Sequence, residues 1–273
     1  MSINIAILGH SGMLGSAVRS WFSRKDYYYN LILPTVRFTA DNSSQDALLE
    51  QIHSADYVIN CAGAIPQSFT NPAKNFFDIN FQLPDFLFSN FKTIHACTDC
   101  VYSGMPLNHP PYTLSSAYDA CDDYGISKSR IYQLPSFLRN QSNIRIIRAS
   151  IIGPDKYNKS LYSWLLSCLG SSSPINGYVN HFWNGITTLQ WAIYSEHLIQ
   201  NFSSTPTFTV PVSDRISKFQ LLQYILSSFG YDPSIIVPVE HPITKDKSLL
   251  PTEPILYNPI DLQLKDLKDF FSL

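Results

Sequence analysis

The chain has 273 residues, enough for one large or two modest folding units with a sizeable core. Hydrophobic residues make up 45% and charged residues 15%, a globular composition in which Asn, Ser and Tyr carry much of the solvation. The formal net charge of -2 gives no global signal for nucleic acid or for an acidic membrane surface, and no apolar run reaches the length of about 18 residues that a membrane span needs.

Ile3 to Leu8 is a short apolar run ended by Gly9, the pattern of a buried parallel strand. Gly9-His-Ser-Gly12-Met-Leu-Gly15 follows, then a helix-like stretch from Ser16 to Phe22. Strand, glycine turn and helix make the layout of a dinucleotide-binding unit, in which the helix N-terminus faces a pyrophosphate. The spacing is G-x-x-G-x-x-G rather than G-x-G-x-x-G, and a plain glycine-containing turn is the alternative. Asn30 to Arg37 should hold the second strand. An acid near here would grip a ribose 2′-hydroxyl, but none stands between Tyr27 and Ala40. Arg37 does, with Arg19 in the first helix, and an arginine suits a 2′-phosphate, so the sequence leans towards NADPH with NADH open.

Gln45 to Ser54 reads as a helix, and Asp56 to Asn60 as a strand ending in Cys61-Ala62-Gly63-Ala64, small residues that let a cofactor approach the backbone. A helix is expected from Asn71 to Asn90, divided or kinked at Pro84, with Asn80 bonding its own backbone or facing water. Thr93 to Thr98 is the fourth strand and delivers Thr98 and Asp99 to the crevice where open α/β sheets bind ligands. After a loop, Asp122 or Asp123 can cap a helix carrying Tyr124 and Lys128. These two residues share a helix face, and an ammonium beside a phenol should lower the phenol's pKa, making Tyr124 a proton donor near neutral pH. Ile144 to Gly153 is another β-rich run. Beyond Pro154 come a short apolar helix (160–169), an aromatic and amide-rich stretch (176–188), a helix (189–202), a strand (207–212), an amphipathic helix (217–229) and a last helix (262–271). The five cysteines (61, 97, 100, 121 and 168) form an odd set without framework spacing, and the opening residues lack a secretory leader's pattern, so a reducing cytoplasm is expected. Cys97-Thr-Asp-Cys100 reads as two small residues at a strand end rather than a redox or metal pair.

Gly9-x-x-Gly12-x-x-Gly15, Asn60-Cys-Ala-Gly63, Thr98-Asp-x-Val-Tyr-x-Gly104, Tyr124-x-x-x-Lys128 and Arg148-x-Ser-x-x-Gly153 stand in line. Together they resemble the extended short-chain dehydrogenase/reductase superfamily, and the T-D-x-V-Y-x-G string resembles its dTDP-4-dehydrorhamnose reductase branch. The late Gly185-Ile-Thr-Thr188 is similar to that branch's G-x-P-T segment without the proline. Cys97 and Cys61 stand where the branch usually has Ser and often Ala. The resemblance implies an α/β fold, a Rossmann-like doubly wound parallel sheet over residues 1–153, followed by a smaller substrate-binding region over 154–273. The helix and strand near 189–212 should return to the sheet. It further implies that Gly9, Ser11, Gly12, Met13, Leu14 and Gly15 hold the cofactor pyrophosphate, that Cys61, Ala62 and Gly63 lie beside the cofactor, and that no metal takes part. Thr98 would bond the substrate oxygen, Tyr124 would act as acid/base, and Lys128 would bind the nicotinamide ribose.

The activity so implied is NAD(P)H-dependent reduction of a 4-keto-6-deoxy nucleotide sugar for deoxysugar and surface polysaccharide. Asp99, Asn176, Asn180, His181, Trp183 and Asn184 are the substrate-recognition candidates; for His181 a structural role, and for Trp183 plain packing, are the alternatives. An epimerase or dehydratase of the same superfamily competes, although Thr98-Asp99 without a following Glu speaks against the dehydratase. A non-catalytic NADP-binding subunit on the same fold is the third reading. Partners other than the nucleotide sugar, nucleic acid and membrane included, are not expected, save that a short helix pair could support a homodimer.

Overall fold

The structure, a computed structural model, describes residues 2–39, 41–65, 76–105, 110–170, 174–252 and 258–273. The alternation of the first apolar run places its side chains on two faces of a strand, β1 (Ile3–Leu8). Ile5 and Ile7 point to one face, against Val18 and Phe22 of α1 (Met13–Ser23) and Trp191 and Leu198 of α7 (Thr188–Gln200). Ala6 and Leu8 point to the other, against Leu48 and Ile52 of α2 (Asn42–Ile52) and Leu83 and Leu87 of α3 (Leu83–Asn90). Each such isoleucine is fully buried, worth about 1.5–3 kcal/mol against exposure.

Among the described residues six strands form one parallel sheet. To β1 are added β2 (Tyr29–Ile32), β3 (Tyr57–Asn60), β4 (Thr93–Cys97), β5 (Ile144–Arg148) and β10 (Phe208–Thr209), in the order β10-β5-β4-β3-β1-β2. The chain leaves β1 towards β2 on one side and continues through β3 on the other, so a crevice opens past the C-terminal ends of β1 and β3. The β-rich run expected from Ile144 to Gly153 divides: after Arg148 the backbone leaves the sheet, and β6 (Ile151–Ile152) pairs with β9 (Ile186–Thr187). The second strand is also shorter than the run read for it, so Arg37 lies in the segment beyond it.

The expected helix from Asn71 begins outside the described residues. Its later part is a turn of π-helix (Asp78–Gln82) that runs directly into α3, with Pro84 just past the junction. Asn80 neither faces water nor bonds its own helix. It is fully buried, and its amide bonds both the N–H and the carbonyl of Ala64 (2.9 and 3.1 Å) and the Ser127 hydroxyl (2.9 Å). α4 (Asp123–Ser129), which α5 (Pro135–Arg139) follows, starts at Asp122, whose carboxylate accepts from the N–H of Gly125 at 2.7 Å. A Cβ at Gly125 would collide with the Cys100 carbonyl, so glycine lets this helix dock on the Thr98–Gly104 turn.

The later segments build a second core from α6 (Leu161–Cys168), β7 (Ile175–Tyr178), β8 (His181–Trp183), α8 (Lys218–Ser228), β12 (Ile236–Val239) and α9 (Ile260–Phe271). Strand β8 pairs with β11 (Ile216–Ser217) and with β13 (Lys245–Asp246). The N–H of Asp246 donates to the Gly104 carbonyl at 2.8 Å, which ties β13 to the turn that begins at Thr98.

Candidate active site

The crevice is a groove of three joined chambers. The first, about 920 Å³, is lined by Gly9, Ser11, Val36, Arg37 and Thr39. It shares Gly12, Cys61, Ala62, Gly63 and Tyr157 with the second, about 480 Å³, which also carries Met13, Leu14, Thr98, Tyr124 and Lys128. The second shares Met13, Asp99, Cys100, Ser150, Ile151 and Ser160 with the third, about 400 Å³, where His181, Lys218, Lys245 and Lys247 converge.

The turn between the first two chambers is tightly folded. Gly9 has φ +71°, a left-handed backbone that L side chains avoid, and a Cβ there would stand 2.8 Å from the Ala62 nitrogen. A Cβ at Gly15 would collide with the Gly9 carbonyl, so the start of α1 lies directly against the end of β1. Gly12 caps α1 without a side-chain bond, which leaves the first-turn N–H groups as donors towards the groove. A bare turn of this kind, with a roomy chamber that carries Arg37 on one side and a lysine on the other, fits the pyrophosphate, adenosine and nicotinamide ends of a dinucleotide.

In the middle chamber the Thr98 hydroxyl donates to Asp99 Oδ1 at 3.1 Å, accepts from the N–H of Cys100 at 3.1 Å and stands near the Tyr124 phenol. Burial pushes the Tyr124 phenol well above its ordinary value, with Cys100 and Cys97 adding to the effect and Thr98 opposing it. The lowered phenol expected from a neighbouring ammonium is therefore not what this state of the protein holds. Burial also pushes the Lys128 ammonium down. That side chain is 4% exposed, and its Nζ bonds the Ala96 carbonyl at 3.4 Å. A Cβ placed on Gly63 would stand 3.5 Å from the same nitrogen, so glycine keeps the chamber open over Lys128. Asn80 fixes this wall: its one amide joins the Ala64 peptide to Ser127, whose hydroxyl donates to the Tyr124 carbonyl at 2.7 Å.

Beneath the site the Arg148 guanidinium is buried and donates to the phenol oxygens of Tyr118 (2.8 Å), Tyr132 (2.6 Å) and Tyr102. Tyr132 in turn contacts the Cys97 sulfur at 3.1 Å. One side chain thus joins the end of β5 to the Thr98 turn, to the loop before α4 and to the segment after it.

The third chamber was only partly foreseen. His181 lines it, with Nε2 at 3.1 Å from the Ile243 carbonyl, and Trp183 lines it while packing in the second core. Asn180 and Asn184 are instead used by the fold. The Asn180 amide bonds the His241 backbone (2.7 and 2.9 Å), and Asn184 bonds the Leu249 backbone (2.8 and 3.0 Å). Asn176, exposed on β7, lines none of the three chambers, because its strand pairs with β12 away from the groove.

The lysines went unread because no local pattern marks them. Lys218 follows Ser217, which forms a capping box with Gln220, so the chamber meets the N-terminus of α8. Burial lowers Lys218, partly offset by Asp99; for Lys247 burial is outweighed by Cys100, Asp99 and Asp122, and its pKa rises. Three lysines and a helix N-terminus against the one lining carboxylate, Asp99, make this chamber an anion site.

Among the described residues no helix is long and apolar enough to cross a membrane. No curated protein matches the chain. Solved structures do. A dTDP-4-dehydrorhamnose reductase from Clostridium acetobutylicum shares 15% identity over 99% of this chain and 100% of its own, with a TM-score of 0.78. One from Bacillus anthracis, in complex with NADP, shares 16% over 100% and 99%, with a TM-score of 0.79. A UDP-N-acetylglucosamine 4-epimerase from Bacillus cereus shares 14% over 99% and 97%, with a TM-score of 0.75. Likeness at these identities speaks for the fold. The model of the NAD dependent epimerase/dehydratase family matches residues 5–170, which hold the glycine turn, Thr98, Tyr124 and Lys128. The chain belongs to the NAD dependent epimerase/dehydratase family.

Proposed function

We propose that the protein is an NAD(P)H-dependent reductase of a keto nucleotide sugar, acting in the cytoplasm on a 4-keto-6-deoxy sugar in deoxysugar and surface polysaccharide synthesis. The observation that carries this reading is the order of the groove: glycine turn, then Lys128 with Tyr124 and Thr98, then a chamber of three lysines. A substrate with a diphosphate at one end and a carbonyl at the other matches the second half of that order. The neighbouring reductases and epimerase act on nucleotide sugars, which favours the same substrate class.

When bound, the reduced nicotinamide supplies a hydride to the carbonyl carbon. Tyr124, held protonated by its raised pKa, delivers a proton to the carbonyl oxygen as charge develops there. Thr98 is the second donor beside that oxygen, and together the two hydroxyls stabilise it. Lys128 holds the nicotinamide ribose, and its positive charge offsets the phenolate left on Tyr124. Lys218, Lys245 and Lys247 bind the diphosphate and so fix how far the sugar enters. Arg37, on the rim of the first chamber, favours a 2′-phosphate and hence NADPH over NADH.

The test offers NADPH and then NADH with a panel of 4-keto-6-deoxy nucleotide sugars and follows the reduced-nicotinamide absorbance. Stoichiometric oxidation is expected, with kcat lowered by about 10²–10⁴ in Tyr124→Phe. In Lys218→Ala/Lys247→Ala, KM should rise by tenfold or more, roughly the loss of a charge-assisted bond. A changed sugar without net oxidation would replace the reductase by an epimerase. Cofactor binding with no turnover of any sugar, unaltered in Tyr124→Phe, would leave the non-catalytic subunit.

A further inference from the structure

Residues 154–160, between β6 and α6, pass over the groove where its first two chambers meet. The segment is held in shape by its own bonds. The Asp155 carboxylate accepts from the N–H groups of Tyr157 (3.0 Å) and Lys159 (2.6 Å). The Asp155 carbonyl accepts from the N–H of Asn158 and the hydroxyl of Ser163, each at 3.2 Å. Asn158 has φ +55°, a left-handed conformation that Asn tolerates better than most residues. The outcome of this folding is the placement of Tyr157. Its hydroxyl stands near Ser11 of the glycine turn and near Lys156, whose Nζ is 4.8 Å from its ring centroid.

Five residues line both chambers, and four of them, Gly12, Cys61, Ala62 and Gly63, belong to the glycine turn and the end of β3. Tyr157 is the fifth and comes from the opposite bank; its side chain remains 54% exposed on the outside. The approach of Tyr157 to Ser11 therefore narrows the groove above the start of α1. A ligand that fills either chamber alone can enter from one side. A ligand that spans both has to pass beneath Tyr157.

We propose that Tyr157, with Lys156, is a strap over the diphosphate of the bound dinucleotide. The proposal rests on the cofactor reading above. Ser11 sits on the turn that the cofactor reading assigns to the diphosphate, so a side chain that approaches Ser11 is placed beside that anion. On binding, the phenol O–H turns from Ser11 to a phosphate oxygen, and the Lys156 ammonium beside the phenol adds positive charge there. The strap sets how long the cofactor stays, while the sugar chamber is untouched by it.

Surface plasmon resonance on the immobilised protein tests this, since it follows the dissociation of each ligand whichever chamber it fills. The probes are NADPH and ADP-ribose, which carry a diphosphate reaching from the first chamber towards the second, and 2′,5′-ADP, which fills the first alone. In Tyr157→Ala the dissociation rates of NADPH and ADP-ribose should rise about tenfold, the loss of one donor to a charged acceptor, and that of 2′,5′-ADP should not change. Tyr157→Phe, which keeps the ring, should give most of this increase, and Lys156→Ala should give a smaller one that salt abolishes. Wild-type rates for NADPH in Tyr157→Ala, or equal acceleration of all three ligands, would overturn the strap and leave the cofactor reading standing. A wild-type protein that binds neither NADPH nor NADH by calorimetry would overturn the cofactor reading itself.

Discussion

Replacing Lys128 by Met should stabilise the ligand-free protein while destroying its activity. Lys128 is 4% exposed, its ammonium bonds the Ala96 carbonyl at 3.4 Å, and among the described residues it has no acidic partner. A cation held this way costs several kcal/mol of lost hydration, which one long hydrogen bond does not recover. Met follows the same path with an apolar end, so the unfolding free energy should rise by about 1–3 kcal/mol. For a chain of this size that is a Tm increase of roughly 2–10 °C, measured by calorimetry without cofactor.

The pH dependence gives a second reading. Burial lowers the Lys128 pKa below its ordinary value of about 10.4. Below the folded pKa both states carry the proton and the full penalty weighs on the wild type. As pH rises through the folded pKa towards the unfolded one, the unfolded chain binds more protons and wild-type stability climbs. The advantage of Lys128→Met should therefore shrink on the alkaline side. Saturating NADPH should raise the wild-type Tm more than that of the variant if, as proposed, the cofactor ribose is the partner of the ammonium. A variant that melts below the wild type without ligand would refute the reasoning, since Lys128 would then be a net contributor to the fold.

Asn80→Ala should cost about 2–4 kcal/mol in denaturant unfolding, because it strands the buried N–H and carbonyl of Ala64 and the Ser127 hydroxyl together; a loss under 1 kcal/mol would mean that other groups satisfy them. Gly15→Ala places a Cβ on the Gly9 carbonyl, so dinucleotide binding measured by calorimetry should fall at least tenfold, and near-wild-type affinity would show that the turn opens at little cost. Glu196 accepts from Trp21 (2.8 Å), Lys25 (2.5 Å) and Tyr29 (3.0 Å) and so joins α7 to α1 and β2. Glu196→Ala should lower stability by roughly 2–4 kcal/mol and leave kcat unchanged, since none of these groups lines the groove.

By itself the sequence determined the parts whose signal is local. Short, mostly apolar runs marked β1, β3 and β4, because strands covered on both faces are largely apolar, although Asn60, Thr93 and His95 are buried within them. The glycine turn was legible because the backbone at Gly9 needs a left-handed conformation, and Gly15 no side chain at all. Tyr124 and Lys128 were legible because their helical spacing is itself a distance. Everything that depends on separate segments meeting was decided by the tertiary structure. Burial, not the neighbouring ammonium, sets the Tyr124 phenol, and burial is a property of the packed chain. In sequence Asn180 and Asn184 read as substrate contacts and Asn80 as a helix residue bonding its own backbone or facing water. Each found its bonds in backbone that lies 16 to 65 residues away, and those bonds took Asn180 and Asn184 out of the groove. Lys218, Lys245 and Lys247 are ordinary charges until β8 pairs with β11 and β13, and the Gly104 carbonyl fixes Asp246 against the Thr98 turn. A periodic pattern records which face of an element is buried, whereas convergence of side chains depends on which elements pack together, and no single stretch of the chain contains that information.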